Sequence, residues 1–285
     1  MEENKHKDAQ FEEQLKLFEN MEVPYKRTKQ EVWEAMSQKM AEPPIKKIIP
    51  LNLTRWVAAA VIIIVSTLGF MRFYTTSVHA GHGEHLACTL PDNSTVRLNA
   101  GSNISYAPYW WRFNRALSLE GEAFFEVEKG SRFVVNSALG YTEVLGTSFN
   151  IYARDTVYQV FCKTGKVGVH TTNSNQSITL SPNEKGVLRN KVLTKELEKN
   201  EKPSMGWIND QFYFNNVNLV QVLEELERQY NVTINFDRTA LGKQNGTILI
   251  TKEKNIQSVL EITAATFDLN LMKTDKNTYS VTPNY

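Results

Sequence analysis

The sequence predicts a multi-domain, single-pass membrane protein. It reads as a short α-helical N-terminal segment, one transmembrane helix, an all-β domain and a small α+β domain of βαβ-βαβ order at the C-terminal end. Three observations carry this reading. An uncharged run, Trp56 to Met71, is closed at each end by an arginine, Arg55 and Arg72. Downstream of it, short apolar stretches alternate with period two between 95 and 169. Beyond 205, one helix-then-strand unit occurs twice.

A helix needs roughly 20 residues to cross the apolar part of a bilayer. The run reaches that length over 51–74, with Arg55 and Arg72 able to extend toward the surfaces and Trp56, Phe73 and Tyr74 suited to the interface. A long charged segment precedes it, so it reads as a retained anchor, not a cleaved leader. Lys39, Lys46, Lys47 and Arg55 crowd its N-terminal flank and only Arg72 stands close on the other side, which places the N-terminus in the cytoplasm and the rest outside. Net charge is +1 and basic runs are absent, which argues against nucleic acid as a direct partner.

In segment 1–50, Phe11, Leu15 and Phe18 recur at helical spacing, and Thr28-Lys-Gln-Glu31 is a capping-box pattern opening a second helix. The apolar face of that helix is Val32, Trp33, Met36 and Met40; Pro24 separates the two helices and Pro43-Pro44 ends the second. Chains below about 40 residues rarely bury such side chains alone, so this face is expected to dock another protein. Residues 75–84, with His79, His82 and two glycines and with His85 just beyond, read as a flexible tether with solvated imidazoles; a metal held by the three histidines is the alternative.

Residues 85–199 read as strands separated by turns at Pro91-Asp-Asn, Glu120-Gly121-Glu122, Lys129-Gly-Ser, Leu139-Gly140, Leu145-Gly146-Thr147 and Thr164-Gly-Lys. Sandwich, barrel and stacked solenoid all fit. Cys88 and Cys162 fall in apolar runs and read as packed thiols. The aromatic cluster Tyr106, Tyr109, Trp110, Trp111 and Phe113 is expected to fill core or a subdomain interface; a sugar-stacking platform is the alternative. In 205–285, the helix face Leu219, Val222, Leu223, Leu226 is echoed by Ile256, Val259, Leu260, Thr263, and the strands complete one small sheet with helices on one face.

Three ordered blocks then carry a resemblance. Leu90-Pro91-Asp92-Asn93 through Leu98-Asn99-Ala100, Gly121-Glu122-Ala123-Phe124-Phe125-Glu126-Val127, and Gly146-Thr147 with Phe149-Asn150-Ile151 resemble the FecR domain of FecR-type anti-sigma factors. The family usually has glycine where this chain has Asn93; asparagine is the next most tolerant residue at a left-handed position. Residues from Trp207 through Leu219, Arg228 and Tyr230 resemble the small domain that follows FecR domains in Bacteroidetes-type regulators, similar to the secretin and TonB short N-terminal module. The resemblance implies an inner-membrane regulator that relays a signal from the periplasmic signalling domain of an outer-membrane TonB-dependent transporter, contacted by the C-terminal domain, to an extracytoplasmic-function sigma factor held by the cytoplasmic helices. From the residues themselves, no cofactor and no metal are expected.

Most motif residues also have a structural reading: turn chemistry at Pro91-Asp92, sharp corners at Gly121 and Gly146, core at Phe125 and Phe149. Gly146-Thr147 places a hydroxyl after a small residue, the arrangement an N-to-O acyl shift and self-cleavage would use, and it is the only chemistry legible in the chain. No nucleophile elbow, metal-ligand quartet or phosphate-cradling loop occurs, so an enzyme is not expected. The alternative function is an anchored envelope adhesin or glycan-binding protein, which would use the aromatic cluster and leave Trp33 and Met36 idle.

Overall fold

The computed structural model describes residues 3–19, 26–40, 51–252 and 255–284. Pro24, Pro43, Pro44, Lys46 and Lys47 lie outside the described residues. The chain divides into two units, 1–61 and 62–285.

Helices α1 (Glu3–Glu19) and α2 (Lys29–Met40) form the N-terminal segment. The capping box closes as the sequence requires: the Thr28 amide donates to Glu31 Oε2 at 2.8 Å and the Glu31 amide to Thr28 Oγ1 at 3.3 Å. Helix α3 (Leu51–Phe73) contains a stretch, Leu53–Phe73, of 21 residues with mean hydropathy 2.0 and no part of it buried against protein. At about 1.5 Å per residue that stretch matches a hydrocarbon layer of about 30 Å.

The all-β domain is a sandwich whose two sheets share one long strand. Its strands are β1 (Thr76–Ala80), β2 (Leu86–Thr89), β3 (Thr95–Leu98), β4 (Ser102–Tyr106), β5 (Arg115–Glu126), β6 (Phe133–Asn136), β7 (Gly140–Val144), β8 (Ser148–Arg154), β9 (Val157–Thr164), β10 (Val167–Thr171), β11 (Ser177–Leu180), β12 (Glu184–Arg189) and β13 (Val192–Leu197). One sheet runs β1-β4-β5-β6-β7-β10-β11 and the other β2-β3-β5-β8-β9-β12-β13. The first half of β5 pairs with β4 and β6, and the second half with β3 and β8. Alternate side chains of both sheets, among them Leu117, Leu119, Phe125, Phe133, Phe149 and Val160, fill the space between, and Phe125 stacks on Phe149 at 5.0 Å.

Gly121, expected as a turn, instead lies inside β5 and is where the strand changes sheets. Its φ is +104°, and a Cβ there would sit 2.5 Å from Ser102 Oγ and 2.8 Å from Ser102 Cα. Only glycine accommodates both that conformation and that approach.

The tether expected over 75–84 is also corrected. Residues 76–80 form β1, paired residue for residue with β4 from Thr76↔Tyr106 to Ala80↔Ser102. Only Val78 and Ala80 carry the inward alternation, too short a signal beside His79 and Gly81 to read as a strand. The β domain therefore begins at the end of α3. Cys88 and Cys162 are both free thiols, and burial pushes the Cys162 thiol up to about 11.

The C-terminal domain contains α4 (Lys202–Met205), β14 (Gln211–Asn218), α5 (Leu219–Tyr230), β15 (Thr233–Phe236), α6 (Arg238–Leu241), β16 (Asn245–Thr251), α7 (Ile256–Phe267), β17 (Leu269–Asp275) and β18 (Thr278–Pro283). The duplication extends to the caps. Asn218 accepts from the Val220 amide and Asn255 from the Gln257 amide, and each helix closes on a left-handed residue, Asn231 or Asp268.

The expected single sheet with helices on one face is two sheets. β14 pairs with β16, and β15-β18-β17 form the other. α5 packs on β14 and β15, and α7 on β16 and β17, so the helices lie between the sheets. The apolar stripe of α5, Leu219, Val222, Leu223 and Leu226, is wide enough to be covered from two sides, and all four side chains are buried.

Candidate functional site

Two places collect the residues that matter. The first is the face on α1 and α2. Phe11, Leu15 and Phe18 on α1 and Val32, Trp33, Met36 and Met40 on α2 are all exposed, with Trp33 66% accessible. α2 buries none of its residues. An apolar, Met- and Trp-bearing stripe left in solvent has the character of a helix-in-groove ligand.

The second is the junction between the β domain and the C-terminal domain. Phe124 and Phe161, on the outer surface of the sandwich, belong to the same apolar cluster as Met205, Trp207 and Phe212. Beside that cluster lies a buried polar network centred on Glu122. Its Oε2 accepts from Asn99 Nδ2 and its Oε1 from Asn150 Nδ2, each at 2.8 Å. Asn150 Oδ1 in turn accepts from Trp207 Nε1 at 3.3 Å, and Gln229 Nε2 donates to Asn99 Oδ1 at 2.6 Å. Gln229, 1% exposed on α5, also donates to Glu225 Oε1 at 2.7 Å, and its own Oε1 meets His85 Nε2 at 3.0 Å.

Glu225 is paired with Arg228 at 2.8 Å, while Arg154 reaches the backbone oxygens of Ala100 and Gly101 at 2.7 and 3.0 Å. Burial, reinforced by the nearby Glu225 carboxylate, pushes Glu122 up to about 7 from its ordinary 4.5 against the opposing pull of Arg154 and the two asparagines. The Gly83 amide donates to the Arg228 carbonyl at 2.7 Å, so the loop after β1 is held on the last turn of α5. A groove of about 440 Å³ opens beside the network, lined in part by Glu122, Trp207, Tyr213, Lys185 and Glu198.

The motif residues divide accordingly. Leu90, Phe125 and Phe149 are core. Asp92 is held by Arg115, whose Nε donates to Asp92 Oδ2 at 2.6 Å and whose NH1 donates to the Ser131 carbonyl at 2.7 Å; Pro91 and Asn93, the latter at φ +66°, complete that turn. Gly146 is closely covered by Lys129, whose Cα would lie 2.8 Å from an added Cβ, and the buried Thr147 Oγ1 has no hydrogen-bond partner. Glu122, with Asn99 and Asn150 of the flanking blocks, has a second role in the junction.

The three C-terminal residues expected to meet a partner are placed differently. Leu219 is in the domain's own core, Arg228 is turned to Glu225, and Tyr230 is half-buried. Among the described residues of that domain, the large apolar side chains left exposed are Leu249, Ile262 and Met272. Asn99, Asn150, Glu225 and Gln229 were missed as a site because they are distant in sequence; the only signal was a glutamate and a glutamine on the helix stripe otherwise given to Leu223 and Leu226. Among the described residues, no group of three or more His, Cys, Asp or Glu could hold a metal.

A sandwich with one strand shared between two sheets is thus joined through a buried network to an α+β module. Comparison with known proteins gives the class. The model described as "FecR protein" matches residues 76–168, and that described as "FecR, C-terminal" matches 211–281. The chain belongs to the FecR family of anti-sigma regulators. Two crystal structures, each of a candidate anti-sigma factor from Parabacteroides distasonis ATCC 8503, are similar to it at 29% identity. Each covers 74% of this chain and 100% of its own, with TM-scores of 0.68 and 0.67. No curated protein sequence matches the chain.

Proposed function

We propose that this anti-sigma regulator spans the inner membrane once through α3, holds an extracytoplasmic-function sigma factor on α1 and α2, and reads a TonB-dependent transporter with its C-terminal domain. The observation that carries the reading is the solvent-exposed apolar face centred on Trp33 in a chain whose family acts on sigma factors. A two-turn apolar stripe of this kind is stable only when covered. On the exterior side, Leu249 and Met272 are the exposed apolar positions nearest open sheet edges, which suit addition of a strand or docking of a small domain.

A single helix transmits poorly by bending, so control acts by release or proteolysis of the cytoplasmic part. The test is a reporter driven by a promoter of the partner sigma factor. Trp33→Ser is expected to leave that reporter active without an inducing signal, and an unchanged reporter would refute the assignment of this face.

A further inference from the structure

The aromatic loop that joins β4 to β5 has no role in the junction, and its surroundings identify its partner. Only Tyr74 and Thr75 separate the end of α3 from the start of β1. Three residue steps span at most about 11 Å, so Thr76 lies close to the end of the apolar helix. Thr76 pairs with Tyr106, and the loop 107–114 follows at once. Strand register and chain length therefore bring this loop to the level at which the helix leaves the hydrocarbon.

The side chains agree. The Tyr109 ring lies 5.4 Å from that of Tyr74 and 6.0 Å from that of Phe70, both at the C-terminal end of α3. Trp111 is buried and meets Tyr106 and Phe133 edge-on at 5.4 and 5.7 Å, which fixes the base of the loop. Tyr109 and Phe113 project from that base, 52% and 67% exposed, and Arg112 is exposed between them. Core filling accounts for Trp111 and Tyr106 but not for a phenylalanine left two-thirds in water. Tyrosine and tryptophan favour the headgroup level, and arginine pairs with lipid phosphates.

We infer that loop 107–114 is seated in the extracytoplasmic interface of the same bilayer that α3 crosses, with Tyr109 and Phe113 as its lipid contacts and Arg112 at the headgroups. This rests on the reading that α3 spans. The β domain is thereby held against the membrane at two points, the helix and the loop, which fixes the direction in which it presents the C-terminal domain.

The test uses the full chain in phosphatidylethanolamine–phosphatidylglycerol vesicles, with an environment-sensitive fluorescent amino acid replacing Ile63, Phe113 or Asn173 in turn. Ile63 is in mid-helix; Asn173 is in the β10–β11 turn, at the opposite end of the sheet from the loop, since β10 pairs Thr171 with Gly140 while β7 pairs Val144 with Phe133 beside Arg115. Quenching by brominated acyl chains is expected at 63 and 113, several-fold stronger than at 173, with aqueous iodide quenching correspondingly weaker at 113 than at 173. If 63 is quenched by the lipid and 113 behaves like 173, the span stands and the inference falls. If 113 is shielded from both quenchers, a protein covers it and the lipid assignment is overturned. If 63 is not quenched by the lipid, the spanning reading fails and takes the inference with it.

Discussion

Replacing Gln229 with alanine is expected to loosen the β domain and the C-terminal domain from each other. The side chain donates to Asn99 and Glu225 and meets His85, and it is 1% exposed, so water cannot replace what is lost. Asn99 Oδ1 keeps the Ala100 amide at 2.8 Å, while Glu225 Oε1 loses its donor within the junction. A buried polar atom left unpaired costs about 1–3 kcal/mol, and the truncation adds a small void, which together come to about 3 kcal/mol.

For a folded part of this size that loss lowers Tm by about 6–12 °C. The assay is a thermal melt of the full chain in detergent, with limited proteolysis of the 198–202 linker as the reporter of domain separation. Asn99→Ala should be non-additive with Gln229→Ala, because both break the same bond. An unshifted melt with an intact linker would refute the claim that the network joins the domains.

Three further outcomes follow from the same contacts. Glu122 is raised in the folded state to about 7 from 4.5, so the folded chain holds a proton that the unfolded chain releases; its stabilisation is complete below about pH 4.5, is lost as pH rises through 7, and Glu122→Gln should flatten the pH dependence of Tm across that window. Gly121→Ala places a Cβ against the Ser102 backbone at a φ of +104°, which costs about 1–3 kcal/mol of strain before the clash is counted, and it should abolish the near-ultraviolet circular dichroism of the β domain. The Gly146–Thr147 bond is flanked by hydrogen bonds from the Gly130 amide to the Leu145 carbonyl and from the Val127 amide to the Thr147 carbonyl, so the chain is expected to run as one 32.6 kDa band from native membranes; two fragments that merge in Thr147→Ala would show an acyl shift instead.

What could be read from the sequence was whatever is local. The capping box at Thr28 and Glu31, the membrane-length run, the period-two strands and the duplicated helix-strand unit all depend on residues within a few positions of one another, and each is present. What could not be read depends on distant partners. β1 has only two inward side chains and is a strand because β4 lies beside it. Gly121 bends one strand between two sheets, a use of glycine that resembles a turn until the neighbours of Glu120 and Glu122 are known. The junction joins Asn99 to a glutamine 130 positions away; Glu225 and Gln229 on an otherwise apolar stripe hint at burial but do not name the partner.

Leu219, expected to meet a partner, differs from that expectation for a related reason. An apolar stripe on a helix looks the same whether it faces its own domain or another, and Leu219 faces its own. On α2, by contrast, Trp33 and Met36 are left in solvent.

The most direct test of the relay is retention of sigma factors from the source cell by the full chain in detergent, compared with Trp33→Ser. One extracytoplasmic-function sigma factor retained by the native chain and released by the substitution is the result predicted. Retention of none, or equal retention by both chains, would contradict the account.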